Sequence, residues 1–369
     1  MSLVGIKKCS TYGENEIAES LNDLLVGFDK EKIRNKKILI FFDFPLPDIS
    51  IVKGAVGVLR ECGADSITAG TTLFSEELPK DYKGFFSSEK IEFIDFKHNN
   101  YEQIDIPYRK DKMPEHFRGF AILSPVQYGQ EKAIEKMSSM KIRVLRKIFL
   151  PVAFTDADYI LPIVKMKDSP VLKIGGFVNS MFSLLPTLTR SEIFLYLLSY
   201  KMHDAILEAF SLVKEKVLFG LVDGVKANLS DSEEINDMKV LLLSEDLLSL
   251  DAVVSVLVGF RSSEVETNKL GDMYDVGKGV LSNITLFGDD FTEFRKEAVK
   301  KLRNYSAFER KRETLKIERQ DIPTLEDISI YCPTGAIEKQ KEKEFVINKQ
   351  KCIKCNFCIA ISKGCVSAE

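Results

Sequence analysis

What most limits the fold of this chain is a repeated exchange, over its first 260 residues, of short apolar runs for amphipathic stretches. A brief run of β-prone apolar residues reads as a strand buried on both faces. A following stretch with apolar positions three and four residues apart reads as a helix laid over it. Repeated along the chain, that exchange predicts an α/β body, a largely parallel sheet with flanking helices.

The first unit illustrates the pattern. KILIFF at 37–42 is a β-rich run, followed by Pro45, Pro47 and Asp48 and then by a helix through Ile51, Val56, Val58 and Leu59. Gly63 suits a left-handed helix cap, and SITAG at 66–70 completes a βαβ unit. Further strands are predicted at 91–96, 159–164, 217–223, 240–244 and 283–288, and helices at 129–139, around 177–185, and at 190–215, 247–259 and 291–304. The segment from Pro79 to about Ser124, irregular and mixed in charge, reads as an insertion or cap over the sheet.

At 369 residues the chain exceeds what one core usually serves, so two or three units are expected. Hydrophobic residues make up 45% and charged residues 29%, as in an ordinary globular protein, and a net charge of -3 carries no whole-chain signal for nucleic acid. The opening MSLVGIKKCSTYGENE lacks the apolar core of a signal peptide, and no stretch of about 18 apolar residues occurs. The expectation is a cytoplasmic protein that does not engage a membrane. Seven cysteines in a reducing compartment read as ligands or buried thiols rather than disulfides. Cys9 and Cys62 stand alone and read as small buried hydrophobes. The other five lie within the last 38 residues.

In that tail Cys352, Cys355 and Cys358 form C-x2-C-x2-C, which brings three thiolates from one loop onto three irons of a cubane. Cys332, followed by Pro333, supplies the remote fourth cysteine, and GAIEKQKEKEFVI between them reads as a hairpin with a charged turn. From about Asp327 the segment resembles a ferredoxin-type domain, small and α+β, that has lost its first cysteine triplet. One [4Fe-4S] cluster is therefore expected, on Cys332, Cys352, Cys355 and Cys358. Cys365 follows Cys358 by six intervening residues rather than three and lacks a following proline, which makes it a spare thiol and the rival fourth ligand. Four thiolates could also hold structural zinc, but zinc sites usually pair two separated C-x2-C knuckles.

Between body and tail, Arg295 to Arg319 holds ten Lys or Arg against four Glu. This stretch reads either as a solvated helix and linker or as a docking surface for an acidic redox partner, since complementary charge speeds encounter. No aromatic-interleaved basic motif favours RNA. The expected division is an α/β body at 1–294, a basic helix and linker at 295–322 and the iron–sulfur domain at 323–369.

The body resembles the domain of unknown function family 362, whose members often carry a C-terminal ferredoxin domain. The matching strings are VGIKKCSTY at the start, LRECGADSITAG (59–70), ADYILPIVKMK (157–167), FVNSMFSLLP (177–186), FGLVDGVKA (219–227), VLLLSEDLLSLDAVVSVLVGF (240–260) and NITLFGDDF (283–291). Where such proteins read Lys-Pro-Asn after the first core strand, this chain has Phe42, Asp43, Phe44 and Pro45. It keeps Lys165, Lys167 and Asn179 but has Asp168 and Val178 in place of a His and a second Lys. The resemblance implies a ligand pocket on Lys165, Lys167, Asn179, Asp223, Asp246 and Asp251, altered here by those departures.

The residues themselves leave alternatives open. Asp223 follows an apolar strand, where open α/β sheets form crevices, and it also reads as a turn residue. Asp246 looks like a helix N-cap. Asp251, inside an apolar helix, needs a cation, Lys165 or Lys167, or a backbone amide. Gly175 and Gly176, with Lys173 beside them, read as a place where backbone amides approach an anion, or as helix packing. His98, His116 and His203 share no spacing and read as structural. Two functions are expected from all this. One is an iron–sulfur protein transferring single electrons to a partner or to a ligand in the body. The other is a non-redox binding or sensing module in which the cluster is structural. An enzyme built on this plan would be an oxidoreductase, and the sequence names no catalytic residue.

Overall fold

The computed structural model describes residues 2–72, 77–105, 147–169, 172–185, 202–229, 236–302, 315–332, 335–341, 344–352, 358 and 364–368. Its strands up to residue 288 are β1 (Ser2–Lys8), β2 (Lys37–Phe42), β3 (Ser66–Thr71), β4 (Glu92–Asp95), β5 (Tyr101–Asp105), β6 (Lys147–Pro151), β7 (Tyr159–Ser169), β8 (Lys173–Ile174), β9 (Gly220–Asn228), β10 (Val240–Ser244) and β11 (Ile284–Gly288). The main sheet runs β11-β1-β10-β9-β7-β2-β3-β4, with β8 added to β7, while β5 and β6 pair separately. Along that path every neighbouring pair is parallel except the two made by β10, which runs against both β1 and β9.

The continuous apolar runs of the sequence are what a sheet covered on both faces requires. In β2, Ile38, Ile40 and Phe42 enter one core layer with Ile17 and Leu21 of the helix Glu14–Leu25 and Val52 and Leu59 of the helix Ile49–Glu61. Leu39 and Phe41 enter the opposite layer with Phe210 of the helix Met202–Val213 and Leu248 of the helix Leu247–Leu257. β10 divides its residues the same way. Each such side chain contributes about 1.5–3 kcal/mol on leaving water, so a polar substitution at any of them would cost the sheet a face.

The predicted βαβ unit is present. Asp48 caps the helix Ile49–Glu61 by accepting the Ser50 N–H at 2.9 Å, and Gly63, with φ of 79°, turns the chain out of it. The described part of the 79–124 segment corrects the expectation of a cap. The helix Lys80–Ser88 leads into β4, which pairs in parallel with β3, so the sheet continues through this region. The strand expected at 217–223 starts at Gly220 and runs to Asn228, because Lys214–Lys216 form a short 3-10 turn and Val217 makes only an isolated bridge to Ile160. β7 extends past the expected residue 164 to Ser169 across an irregularity between Lys165 and Lys167. The helix expected at 129–139 lies outside the described residues, as does the 190–201 part of the next one.

The helix Phe291–Lys301 buries Phe294 and Ala298 in the body core, so the body continues past residue 294. Near the C-terminus, Leu315–Ile317 pairs antiparallel with Val366–Ala368, and Ile337–Lys341 pairs with Glu344–Ile347 in the expected hairpin. The helix Ile322–Tyr331 supplies Leu325 and Ile328 to a small core with Leu315, Ile337, Phe345 and Val366. That core reaches back to Leu315, ahead of the expected boundary at 323. No helix among the described residues is long and apolar enough to cross a membrane.

Candidate functional site

The strand order fixes where a ligand crevice would form. β3 and β4 follow β2 on one side, whereas β7 lies on its other side, so the order reverses between β2 and β7. Crevices in open α/β sheets form beyond the carboxyl ends of strands at such a reversal. Here Asp43 follows β2, Lys165 and Lys167 lie in the carboxyl half of β7, and Asp223 of β9 stands in register with Lys165.

Asp223 is fully buried and surrounded by donors. Its Oδ1 accepts the Tyr12 hydroxyl at 3.0 Å and the Val225 N–H at 3.3 Å, and its Oδ2 accepts the Lys165 ammonium at 3.0 Å and the Asp48 N–H at 2.9 Å. A carboxylate offers about four lone-pair sites, and all are engaged. The Tyr12 hydroxyl in turn accepts the Lys226 N–H at 3.1 Å, and the Lys165 ammonium stands 5.7 Å from the Tyr12 ring centroid, within cation–π reach. Burial and the Asp223 charge hold the Tyr12 phenol above its ordinary pKa, so it stays a neutral donor.

Lys167 is taken by a different acid. Its ammonium lies 2.6 Å from Asp43 Oδ2 and also donates to the Phe44 carbonyl. Asp43 is completed by the Ser180 hydroxyl at 2.9 Å and the Ser183 hydroxyl at 2.8 Å. The two ion pairs face different core layers. Tyr12 packs with the layer of the helices Glu14–Leu25 and Ile49–Glu61, while the segment carrying Ser180 and Ser183 packs through Val178, Met181 and Leu184 into the other. The six residues expected to form one pocket are thus distributed. Lys165 joins Asp223, and Lys167 joins Asp43.

Asp246 is the helix cap the sequence suggested. Its carboxylate accepts the Leu248, Ser249 and Lys278 N–H groups and the Ser249 hydroxyl, which again fills it. It follows Ser244, which pairs with Gly220 at the start of β9, and its partners come from its own helix and the Lys278 amide rather than from the Lys165 pair. Asp251 finds its partners in amides rather than in a lysine. Its oxygens accept the Phe177 N–H at 2.6 Å and the Val178 N–H at 3.0 Å. Burial pushes its pKa up to about 7 against the pull of those amides.

This accounts for the paired glycines. A Cβ on Gly176 would lie 2.1 Å from Asp251 Oδ1, and one on Gly175 would lie 2.5 Å from the Lys167 stem. The anion that the amides approach is the protein's own Asp251. Lys173 is occupied elsewhere, donating to the Glu264 carbonyl at 2.6 Å. Val178, standing where a lysine is expected, has its side chain in the core and its amide on Asp251. Asn179 is half-buried between Val178 and Ser180. Asp168 is buried on β7 opposite Ile174. Tyr12, Ser180 and Ser183 were not singled out by sequence; Tyr12 lies 211 residues from Asp223, and no local pattern announces that contact.

At the other end of the chain, Cys358 and Cys365 are buried in the small C-terminal core, with Cys332 and Cys352 packed against it. The Cys332 sulfur accepts the Ala336 N–H at 3.2 Å, and the Cys365 sulfur accepts an Arg319 N–H at 3.6 Å. Cys355 lies outside the described residues. Among the described residues no group of three or more His, Cys, Asp or Glu side chains is arranged to hold a metal ion. Cys9 is fully buried, as expected of a small hydrophobe, and burial raises its thiol to about 11; Cys62 is half-buried. His98 is exposed, His203 lies in the helix Met202–Val213, and His116 falls outside the described residues.

A crystal structure of a Thermotoga maritima protein, solved as a structural-genomics target, is similar at 13% identity and a TM-score of 0.38, covering 58% of this chain and 51% of that one. The chain therefore spans about half the length of the Thermotoga protein. No curated protein matches the sequence at a significant level. The profile of the domain of unknown function DUF362 matches residues 48–255, more than half of the chain and the span from the cap of the helix Ile49–Glu61 through most of the helix Leu247–Leu257. The chain belongs to the DUF362 family.

Proposed function

We propose that this chain is an iron–sulfur protein whose ferredoxin-like C-terminal unit holds one [4Fe-4S] cluster on Cys332, Cys352, Cys355 and Cys358. The observation that supports this reading is that Cys332, at the end of one helix, packs against the same small core as Cys352 and Cys358. The hairpin between Cys332 and Cys352 folds the chain back onto that core. The residues fit the group in a second respect. The Ala336 N–H on the Cys332 sulfur is a donor of the kind that stabilises a thiolate ligand and tunes cluster potential. Such a cluster supplies one-electron transfer. The chain's own contribution is to enclose it, to set its hydrogen bonds and to present it to a partner. The basic stretch from Arg295, of which 303–314 lie outside the described residues, favours an acidic redox protein as that partner.

The test is anaerobic purification of the full chain with iron and acid-labile sulfide counts, visible absorption and paramagnetic resonance. About four iron and about four sulfide per chain are expected. Zinc in their place, or neither metal nor sulfide after reconstitution, refutes the reading.

One observation favours the alternative of a non-redox binding module in which the cluster is a structural staple. The charged groups at the sheet reversal pair with one another, Lys165 with Asp223 and Lys167 with Asp43, which supports a pocket altered from the family's. Cys352→Ala separates the two readings. Under electron transfer the body keeps its circular dichroism and only the redox signal is lost. Under the staple reading, folding or partner binding is lost with the cluster.

A further inference from the structure

We propose that Arg319 sets the reduction potential of the C-terminal cluster, acting beside Cys365, and that Cys365 is not a ligand. This rests on the iron–sulfur reading above. Cys365 is completely enclosed, with no exposed surface, immediately before the strand Val366–Ala368. It shares the small core with Cys358, against which Cys332 and Cys352 also pack. Its sulfur is turned to the Arg319 guanidinium, with Nη2 at 3.6 Å.

The guanidinium is held there by the chain. The Cys365 carbonyl accepts the Glu318 N–H at 2.8 Å and the Arg319 N–H at 3.5 Å, which extends the pairing of Leu315–Ile317 with Val366–Ala368 by one step. Glu318 takes the Lys316 ammonium at 3.1 Å and the Ser367 hydroxyl at 2.6 Å, and Asp321 takes the Thr324 hydroxyl at 2.9 Å while remaining the acidic neighbour of Arg319.

The sulfur of Cys365 thus has a cation for a neighbour, whereas the sulfur of Cys332 has a backbone amide, the donor type expected at a ligand. The pattern agrees, because the cysteine that follows the triplet in two-cluster ferredoxins serves the other cluster, whose own triplet is missing here, and Cys365 is further displaced by six intervening residues rather than three. An electron added to an all-cysteine cluster makes that site more negative, and a fixed cation nearby favours the reduced form. Arg319 is itself exposed, so water and salt screen the effect, and it weakens as ionic strength rises.

The test is an anaerobic redox titration of the full chain, followed by paramagnetic resonance, in wild type, Arg319→Gln and Arg319→Lys, with iron and sulfide counts on these and on Cys365→Ala. The surface changes at Arg319 leave the core intact, so they read the proposal even if Cys365→Ala folds poorly. All well-folded variants are expected to keep the wild-type iron count. The midpoint of Arg319→Gln moves to more negative potential, Arg319→Lys falls between, and the gap narrows at high salt. Equal midpoints for wild type and Arg319→Gln at low salt overturn the proposal. So does loss of iron from a folded Cys365→Ala that Cys332→Ala does not share. A wild-type chain devoid of iron and sulfide would instead overturn the iron–sulfur reading itself, before any variant is compared.

Discussion

Replacing Lys167 by Met removes the ammonium from a pair whose side chains are only 12% and 9% exposed and leaves Asp43 facing two hydroxyls. Breaking a buried pair from one side typically costs about 3–5 kcal/mol, because the remaining charge stays out of water without its partner. The stranded carboxylate has one escape, which is to take up a proton. For an ordinary aspartate that costs about 4 kcal/mol at pH 7 and about 1.5 kcal/mol at pH 5. The escape caps the damage, so Lys167→Met should lose about 3–4 kcal/mol at pH 7 and clearly less at pH 5. Adding Asp43→Asn, which keeps an acceptor for the two serines but no charge, should recover most of the loss. The assay is urea unfolding by circular dichroism at both pH values, reading the midpoint at unchanged slope. A loss below about 1 kcal/mol at pH 7 would refute the reasoning, as would an equal loss at both pH values, or a double variant whose cost is the sum of the singles.

Two further outcomes follow from the Asp251 contact. Burial has raised this carboxylate to about 7, above its unfolded value, so between about pH 4 and pH 7 the folded state holds a proton that the unfolded chain has released. Its contribution to stability therefore falls as pH rises through that window, and Asp251→Asn should flatten the fall. Unfolding midpoints of the two proteins across the window check this, and parallel curves would count against it. Gly176→Ala places a methyl 2.1 Å from Asp251 Oδ1 and should cost about 1–3 kcal/mol, whereas Gly57→Ala, in a helix with nothing within 4 Å, should gain up to about 1 kcal/mol. Thermal unfolding of the pair gives the comparison.

The parts of this structure that were legible in sequence are those fixed by neighbours in the chain. The helix expected after Asp48 and ended by Gly63 is present, Asp246 caps the apolar helix that follows it, and GAIEKQKEKEFVI forms a hairpin. The reversed direction of β10 was not legible, because a strand buried on both faces shows the same residues whichever way it runs. The site was half-legible. Asp251, inside an apolar helix, shows in sequence its need of a partner, whereas Lys165, Lys167 and Asp223 show only as candidate pocket residues, because pairing is a property of the assembled sheet. Sequence allowed Asp251 a lysine or an amide. The structure gives the lysines to Asp223 and Asp43, and that leaves the amides of Phe177 and Val178 for Asp251.

The placement of β1 between β10 and β11 bears on how the molecule is made. Ser2 to Lys8 is synthesised long before its neighbours, Val240–Leu243 and Ile284–Gly288. At about 5–20 residues per second, this strand, with Val4 and Ile6 destined for the core, waits roughly 10–50 s for its first partner. During that time it is an unpaired apolar edge in need of shielding. The same wiring constrains dissection of the protein, because a fragment ending at residue 255, where the family match stops, would pair β1 on one side only and leave its other edge open to a neighbouring chain.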